Sequence, residues 1–190
     1  MKSIIYSLLL SLFLIGCGEG GGTYVVEPPS YDNTVTNYNS YVLSYIVDGD
    51  TAEFEDLGRT RFISIDTPEV YESDRLTYQA DNCAGGDTDL IISMGTQSSN
   101  HLKEILIPGD LYYLELYDKD IYGRTIVKVY KDNQSVNLRM VSEGYAVPYI
   151  YTEGQDPDEE DILNAMNEAK ENQRGLWLDY ADEMECLSNL

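Results

Sequence analysis

The sequence predicts an α+β domain in which five short strands close a small barrel and three helices lie between and after them. Three observations carry this expectation. Apolar and β-prone runs recur at short intervals from residue 41 onward, helix patterns with recognisable caps separate and follow them, and a hydrophobic content of 43% over 190 residues is enough for the core of one domain.

Each element has a local reason. Residues 41–47 are apolar and β-prone. Residues 51–55 and 59–65 read as a hairpin around Asp56-Leu57-Gly58. Residues 111–117 and 125–130, rich in β-branched and aromatic side chains, complete the set. The first helix is placed at 96–107, with Leu102, Ile105 and Leu106 on one side. The second, at 135–143, opens with a capping Ser135 and stops at Gly144. The third, at 158–174, has an apolar stripe of Ile162, Leu163, Met166 and Ala169, acids in its first turn and Gly175 after its end. Trp177 is expected to plug the core and His101 to pack at a helix surface. Residues 70–95 read as a long loop with at most a short helical turn near residues 90–94.

The amino-terminal residues stand outside the domain. Met1-Lys2 followed by an apolar stretch ending at Ile15 is too short for a comfortable membrane span and reads as an export signal. Leu14-Ile15-Gly16-Cys17 resembles the lipobox of bacterial lipoproteins, in which the cysteine becomes the lipidated mature end. The expected organisation is therefore a lipoprotein signal peptide at 1–16, a Gly-, Ser- and Pro-punctuated tether at 17–39, a domain at 40–178 and a tail at 179–190. Such a protein would be exported and anchored through Cys17 to the bacterial envelope, at the outer membrane or cell surface. With Cys17 modified, Cys83 and Cys186 can form one bridge in an oxidising compartment; two unpaired thiols are the alternative.

The formal net charge is -22, and loss of residues 1–16 leaves 11 basic against 34 acidic residues, or -23. A generic basic nucleic-acid binder is excluded by that balance. The chemistry instead concentrates in Asp48-Gly49-Asp50-Thr51, in Arg61 leading to Asp66-Thr67-Pro68-Glu69, and in Tyr122-Gly123-Arg124. Asp50 is expected at a strand start and Asp66 at the end of the strand that begins near Arg59. Two carboxylates meeting there at one mouth of a barrel repel each other unless a cation lies between them. Oxygen ligands without clustered His or Cys favour Ca²⁺ or Mg²⁺, and calcium better tolerates irregular coordination. Glu69 is near enough to deprotonate a water, and Arg61 and Arg124 are planar donors suited to phosphate oxygens.

The order and spacing of these strings resemble the staphylococcal nuclease, or thermonuclease, family. The likeness runs from about Tyr41 to Trp177 and includes Val47-Asp48-Gly49-Asp50-Thr51, residues 61–69, Asp120-Ile121-Tyr122-Gly123-Arg124, Val136-Asn137, Tyr149-Ile150-Tyr151 and Gly175-Leu176-Trp177. The resemblance implies an OB-fold barrel with three helices that cuts DNA and RNA with Ca²⁺ and leaves 3′-phosphate ends. It implies Asp50, Asp66 and the Thr67 carbonyl as metal ligands, and Arg61, Glu69 and Arg124 as catalytic residues. Tyr122, Tyr149 and Tyr151 would line the nucleotide pocket. No protein partner is implied and a monomer is expected. The chain departs from the pattern at Ile121, where the family often has a lysine, and in residues 70–95. A catalytically weak or inactive OB-fold lipoprotein that binds nucleic acid or another ligand is the alternative that these departures and the acidity favour.

Overall fold

The computed structural model describes residues 39–150 and 156–190. β1 (Asn39–Ile46) pairs antiparallel with β2 (Thr51–Phe54) on one side and β5 (Leu111–Lys119) on the other. β2 turns tightly into β3 (Gly58–Phe62), where Asp56 and Gly58 take φ of 61° and 78°. A short polar residue and a glycine are the residue types that accept that left-handed backbone. β6 (Thr125–Lys131) pairs antiparallel with β5 and parallel with β3, closing the ring β1-β2-β3-β6-β5. The predicted five-stranded OB-type barrel of an α+β domain is therefore the observed one. Closure leaves none of the five with a long free edge. β7 (Gln134–Ser135) extends β6.

Alternation along the strands fills the barrel. Leu43, Ala52, Phe54, Phe62, Leu114, Val127 and Val129 point inward and are almost wholly removed from water. α3 (Val136–Ser142), capped by the Ser135 hydroxyl, and α4 (Glu159–Glu171) pack beside it through Val136, Met140 and Ile162.

Two expectations are corrected. Asp66 does not end the strand that begins near Arg59: β3 stops at Phe62, Ser64 takes φ of 62°, and Asp66 lies in a separate pair, β4 (Ile65–Asp66) with β8 (Val147–Pro148). The left-handed residue breaks the strand and turns the chain toward β8. The helices number five among the described residues, not three. The stretch read as a loop is α1 (Asp74–Cys83) followed by α2 (Thr88–Ile105), and the tail holds α5 (Ala181–Leu187). Ser73 and Asp87 cap the first two by accepting from Leu76 N and Leu90 N, and both are residue types that mark a helix start.

The two additional helices, together with the amino-terminal half of α2, build a second core. Leu76, Ala80, Ile91 and Met94 meet Ala169, Leu176, Trp177, Met184 and Leu187. Cys83 at the end of α1 is bonded to Cys186 of α5, with S–S 2.02 Å, across a sequence separation of 103. Cys17 and Tyr151 lie outside the described residues, and no helix among those described is long and apolar enough to cross a membrane.

Because the bridge closes a long segment, Cys83→Ser combined with Cys186→Ser is expected to lower stability by about 2–4 kcal/mol, read from the urea midpoint of unfolding.

Candidate active site

The Asp48–Asp50 loop joins β1 to β2 at one mouth of the barrel. Asp50 N donates to Asp48 Oδ1 at 3.2 Å, and Phe62 N donates to Asp50 O at 2.8 Å, so the loop is tied to itself and to β3. Gly49 is required by contact, since a Cβ there would stand 2.8 Å from both Ser98 Cβ and Thr67 Cγ2. The loop thus lies directly against the segment that carries Thr67 and Glu69.

Asp50 and Asp66 are almost fully buried, at 2% and 6% exposure. The Arg61 guanidinium lies between them: one terminal nitrogen contacts Asp50 Oδ1, and the other donates to Asp66 Oδ1 at 2.5 Å and to Ile65 O at 3.1 Å. Asp50 Oδ2 accepts from Thr67 N at 2.9 Å and Thr67 Oγ1 at 3.0 Å. Asp66 Oδ2 accepts from Arg75 Nη2 of α1 at 2.8 Å. Asp50, Arg61, Asp66 and Thr67 are thereby brought into one bonded group.

Glu69 is partly buried close to this group. Burial, the most important cause, pushes its carboxyl above the usual glutamate range; the charges of Asp48 and Asp66 push the same way, and Arg61 and Arg75 oppose them. The Asp48 carboxyl is also pushed up, chiefly by burial, against the pull of Arg61, Thr51 and Arg124. Four carboxylates, Asp48, Asp50, Asp66 and Glu69, therefore share the mouth, with Arg61 and Arg75 lying among them and the charge of Arg124 reaching Asp48. That excess of negative charge, on oxygen donors alone, fits a hard divalent cation. The ligands would be Asp50, Asp66 and the Thr67 carbonyl. Among the described residues no group of three or more His, Cys, Asp or Glu side chains is arranged to hold a metal.

Arg124 and Tyr122 lie on the β5–β6 turn. Arg124 Nε donates to Asp120 Oδ2 at 2.6 Å, and its guanidinium stands 5.6 Å from the Tyr122 ring centre. Burial alone would raise the Asp120 pKa, but hydrogen bonds and charge from Arg124, with a bond from Tyr122 N, hold it below the usual range. Arg124 does not touch Asp50, Asp66 or Glu69, although its charge reaches Asp48. Tyr122 is 78% exposed. Tyr149 is partly exposed beyond β8, with its N–H bonded to Ser64 O at 2.9 Å. His101 has other partners: it stacks on Tyr145 at 3.9 Å and meets Glu143.

A sequence profile of the family described as Staphylococcal nuclease homologue matches residues 59–179. The chain belongs to the staphylococcal nuclease family. Among its relatives, Endonuclease YhcR of Bacillus subtilis is 31% identical over 159 residues, covering 80% of this chain but 12% of that protein. An uncharacterized endonuclease of Escherichia coli is 30% identical over 140 residues, 70% of this chain and 74% of its own. Thermonuclease of Staphylococcus intermedius is 28% identical over 158 residues, 79% and 83% of the two chains. The staphylococcal nuclease match begins at Arg59, so Asp48 and Asp50 precede it and are placed at the site by the fold.

Three residues at this site are additions to those the sequence singles out. Asp48 stands in the first acidic string without an assigned role, although it adds charge to the mouth. Arg75 and Gln79 belong to the stretch that reads as a loop. Gln79 is fully buried, with Oε1 accepting from Glu69 N at 2.9 Å and Nε2 donating to Thr67 O at 3.3 Å. The Ser73 cap is a signal that could reveal the helix, but nothing local in the sequence tells where Gln79 points.

In chelator, Glu69 is expected to titrate above an ordinary glutamate, and Ca²⁺ to lower its midpoint, as followed by carboxyl carbon shifts in NMR. As a base Glu69 must be ionised, so its capacity is lost as pH falls through that raised value.

Proposed function

We propose that this chain is a calcium-dependent nuclease that hydrolyses phosphodiester bonds of DNA and RNA outside the cytoplasm. The observation that carries the reading is the joining of Asp50 and Asp66 by the Arg61 guanidinium in a buried, charge-rich mouth beside Glu69. A structural ion pair has no need of the further acids Asp48 and Glu69, and their burial is unfavourable unless positive charge is supplied.

Calcium, when bound, would supply positive charge against the substrate phosphate and the carboxylates. Glu69 accepts a proton from water as the water oxygen attacks phosphorus. The bond from phosphorus to the 5′-oxygen breaks, leaving a 3′-phosphate and a 5′-hydroxyl, with the departing oxygen taking up a proton from solvent. Arg61 and Arg124 donate to the phosphate oxygens on which charge builds, and preorganised donors are most effective there. Arg124 has only its Nε committed to Asp120 among the described residues, so its terminal nitrogens can serve that purpose. Tyr122 and Tyr149, exposed beside the mouth, are stacking surfaces for unpaired bases.

The formal charge of -22 opposes the approach of a polyanion. Weak affinity, a preference for single strands and strong dependence on the cation are its consequences. Cys17, carrying lipid after removal of residues 1–16, would hold a monomeric enzyme at the bacterial envelope with the tether giving it reach.

The full chain is expected to digest denatured DNA faster than duplex, with Ca²⁺ and not with chelator. Glu69→Gln should reduce kcat by about 10²–10⁴-fold, as removal of a general base does. Arg124→Ala should reduce it by about 10²–10³-fold. Binding of denatured DNA without digestion in either condition would instead mark a binding module.

Cys17→Ser is expected to move the chain from the membrane fraction to the soluble fraction of the producing cells. Retention in the membrane fraction would overturn the lipid anchor.

A further inference from the structure

Arg75, Gln79 and Cys83 recur at every fourth residue of α1, so they line one face of the helix. Each makes a bond off the helix. Arg75 pairs with Asp66, Gln79 bonds the backbone of Thr67 and Glu69, and Cys83 is joined to α5.

Gln79 is the informative member. Its α1 neighbours Leu76 and Ala80 are buried and apolar, and an apolar side chain would meet no desolvation cost at position 79. Instead a fully buried amide spans two backbone groups on either side of Pro68. Proline has no N–H, so the 67–69 segment cannot form a regular ladder. It is held by Asp50 at Thr67 N and by Gln79 at Thr67 O and Glu69 N.

The α2 backbone closes the third side. A Cβ at Gly95 would lie 2.3 Å from Pro68 O and 2.6 Å from Glu69 O, so only glycine admits this approach. The donation from Gln79 uses one lone pair of the Thr67 carbonyl and leaves the second for a cation. One turn earlier, Arg75 takes Asp66 Oδ2 while Arg61 takes Oδ1, so two guanidinia from different elements fix the rotation of that carboxylate.

We propose that Gln79 is a positioning residue for Thr67 and Glu69, and that Gln79 and Arg75 together make α1 the element that sets the geometry of the candidate ligands and base. This rests on the nuclease reading for its kinetic consequences, whereas the backbone bonds to Thr67 and Glu69 do not. Neither residue is assigned contact with reacting atoms.

The experiment uses the full chain with its disulfide formed. Gln79→Met keeps the volume and removes both hydrogen bonds. Gln79→Asn keeps the amide and withdraws it by one methylene, so it cannot span Thr67 O and Glu69 N together. Thr77→Ala, on the exposed face of α1, is the control. Three quantities are read: hydrogen exchange of the Glu69 amide in chelator, Ca²⁺ affinity by calorimetry, and kcat and KM on denatured DNA. Both Gln79 variants are expected to exchange the Glu69 amide at least ~10-fold faster. Ca²⁺ affinity should weaken, and kcat fall about 10–100-fold, the range for residues that orient ligands. KM should stay within about threefold of the parent, and Thr77→Ala should match it throughout. Arg75, being partly exposed, gives a variant that does not disturb the core: Arg75→Gln should lower kcat and Arg75→Lys recover most of the loss. Gln79 variants that melt lower yet keep the parent kcat, Ca²⁺ affinity and Glu69 exchange would overturn the role. A parent chain that digests no nucleic acid would sink the nuclease reading, while the exchange and calorimetry would still decide what Gln79 does.

Discussion

Asp50 and Asp66 can share a buried mouth only because positive charge stands between them. Two carboxylates so nearly excluded from water repel strongly, and each bears a desolvation penalty. Arg61 answers both at once, from a strand that neighbours the Asp50 loop and lies just before β4 in the chain. Its removal would leave buried Asp50 without a cationic partner and Asp66 with Arg75 alone, a loss of about 3–5 kcal/mol by the usual scale for breaking such pairs. The Asp48–Asp50 loop, the break at Ser64 and the placement of β4 all serve this junction. The same arrangement gives a guanidinium and a pair of carboxylates a common location, as the proposed function requires.

The junction depends on close backbone packing. Gly49 and Gly95 are the positions where a side chain would collide with the 67–69 segment. The first core, inside the barrel, fixes β3, which carries Arg61, and the strands β1 and β2 that flank the Asp50 loop. The second core fixes α1 and α2, which hold that segment from outside. A chain with only the three predicted helices would leave Thr67 and Glu69 without their outer wall.

Elsewhere the acidic surface needs its own internal cations. Lys128, at 1% exposure, pairs with buried Asp156 and with Asp158, clamping the start of α4 to β6. Burial alone would lower the lysine pKa, yet bonds and charge from the two aspartates raise it. Positive charge in this protein is scarce, and Arg61, Arg75, Arg124 and Lys128 are each paired with a carboxylate.

The barrel was legible because alternating β-branched and aromatic residues, a two-acid turn and well-separated strands obey local rules. The candidate residues were legible because Asp50, Arg61, Asp66, Thr67 and Glu69 lie in short strings whose donor types speak for themselves. The sequence by itself determined the fold class, these residue types and the overall acidity, all of which depend on near neighbours or on simple sums. Tertiary structure alone decided that Arg124 rests on Asp120, that Arg75 reaches Asp66 and that a buried amide from α1 bonds Glu69. Those contacts join residues whose partners lie on other elements or across a turn, and side-chain direction in three dimensions, not residue type, selects them.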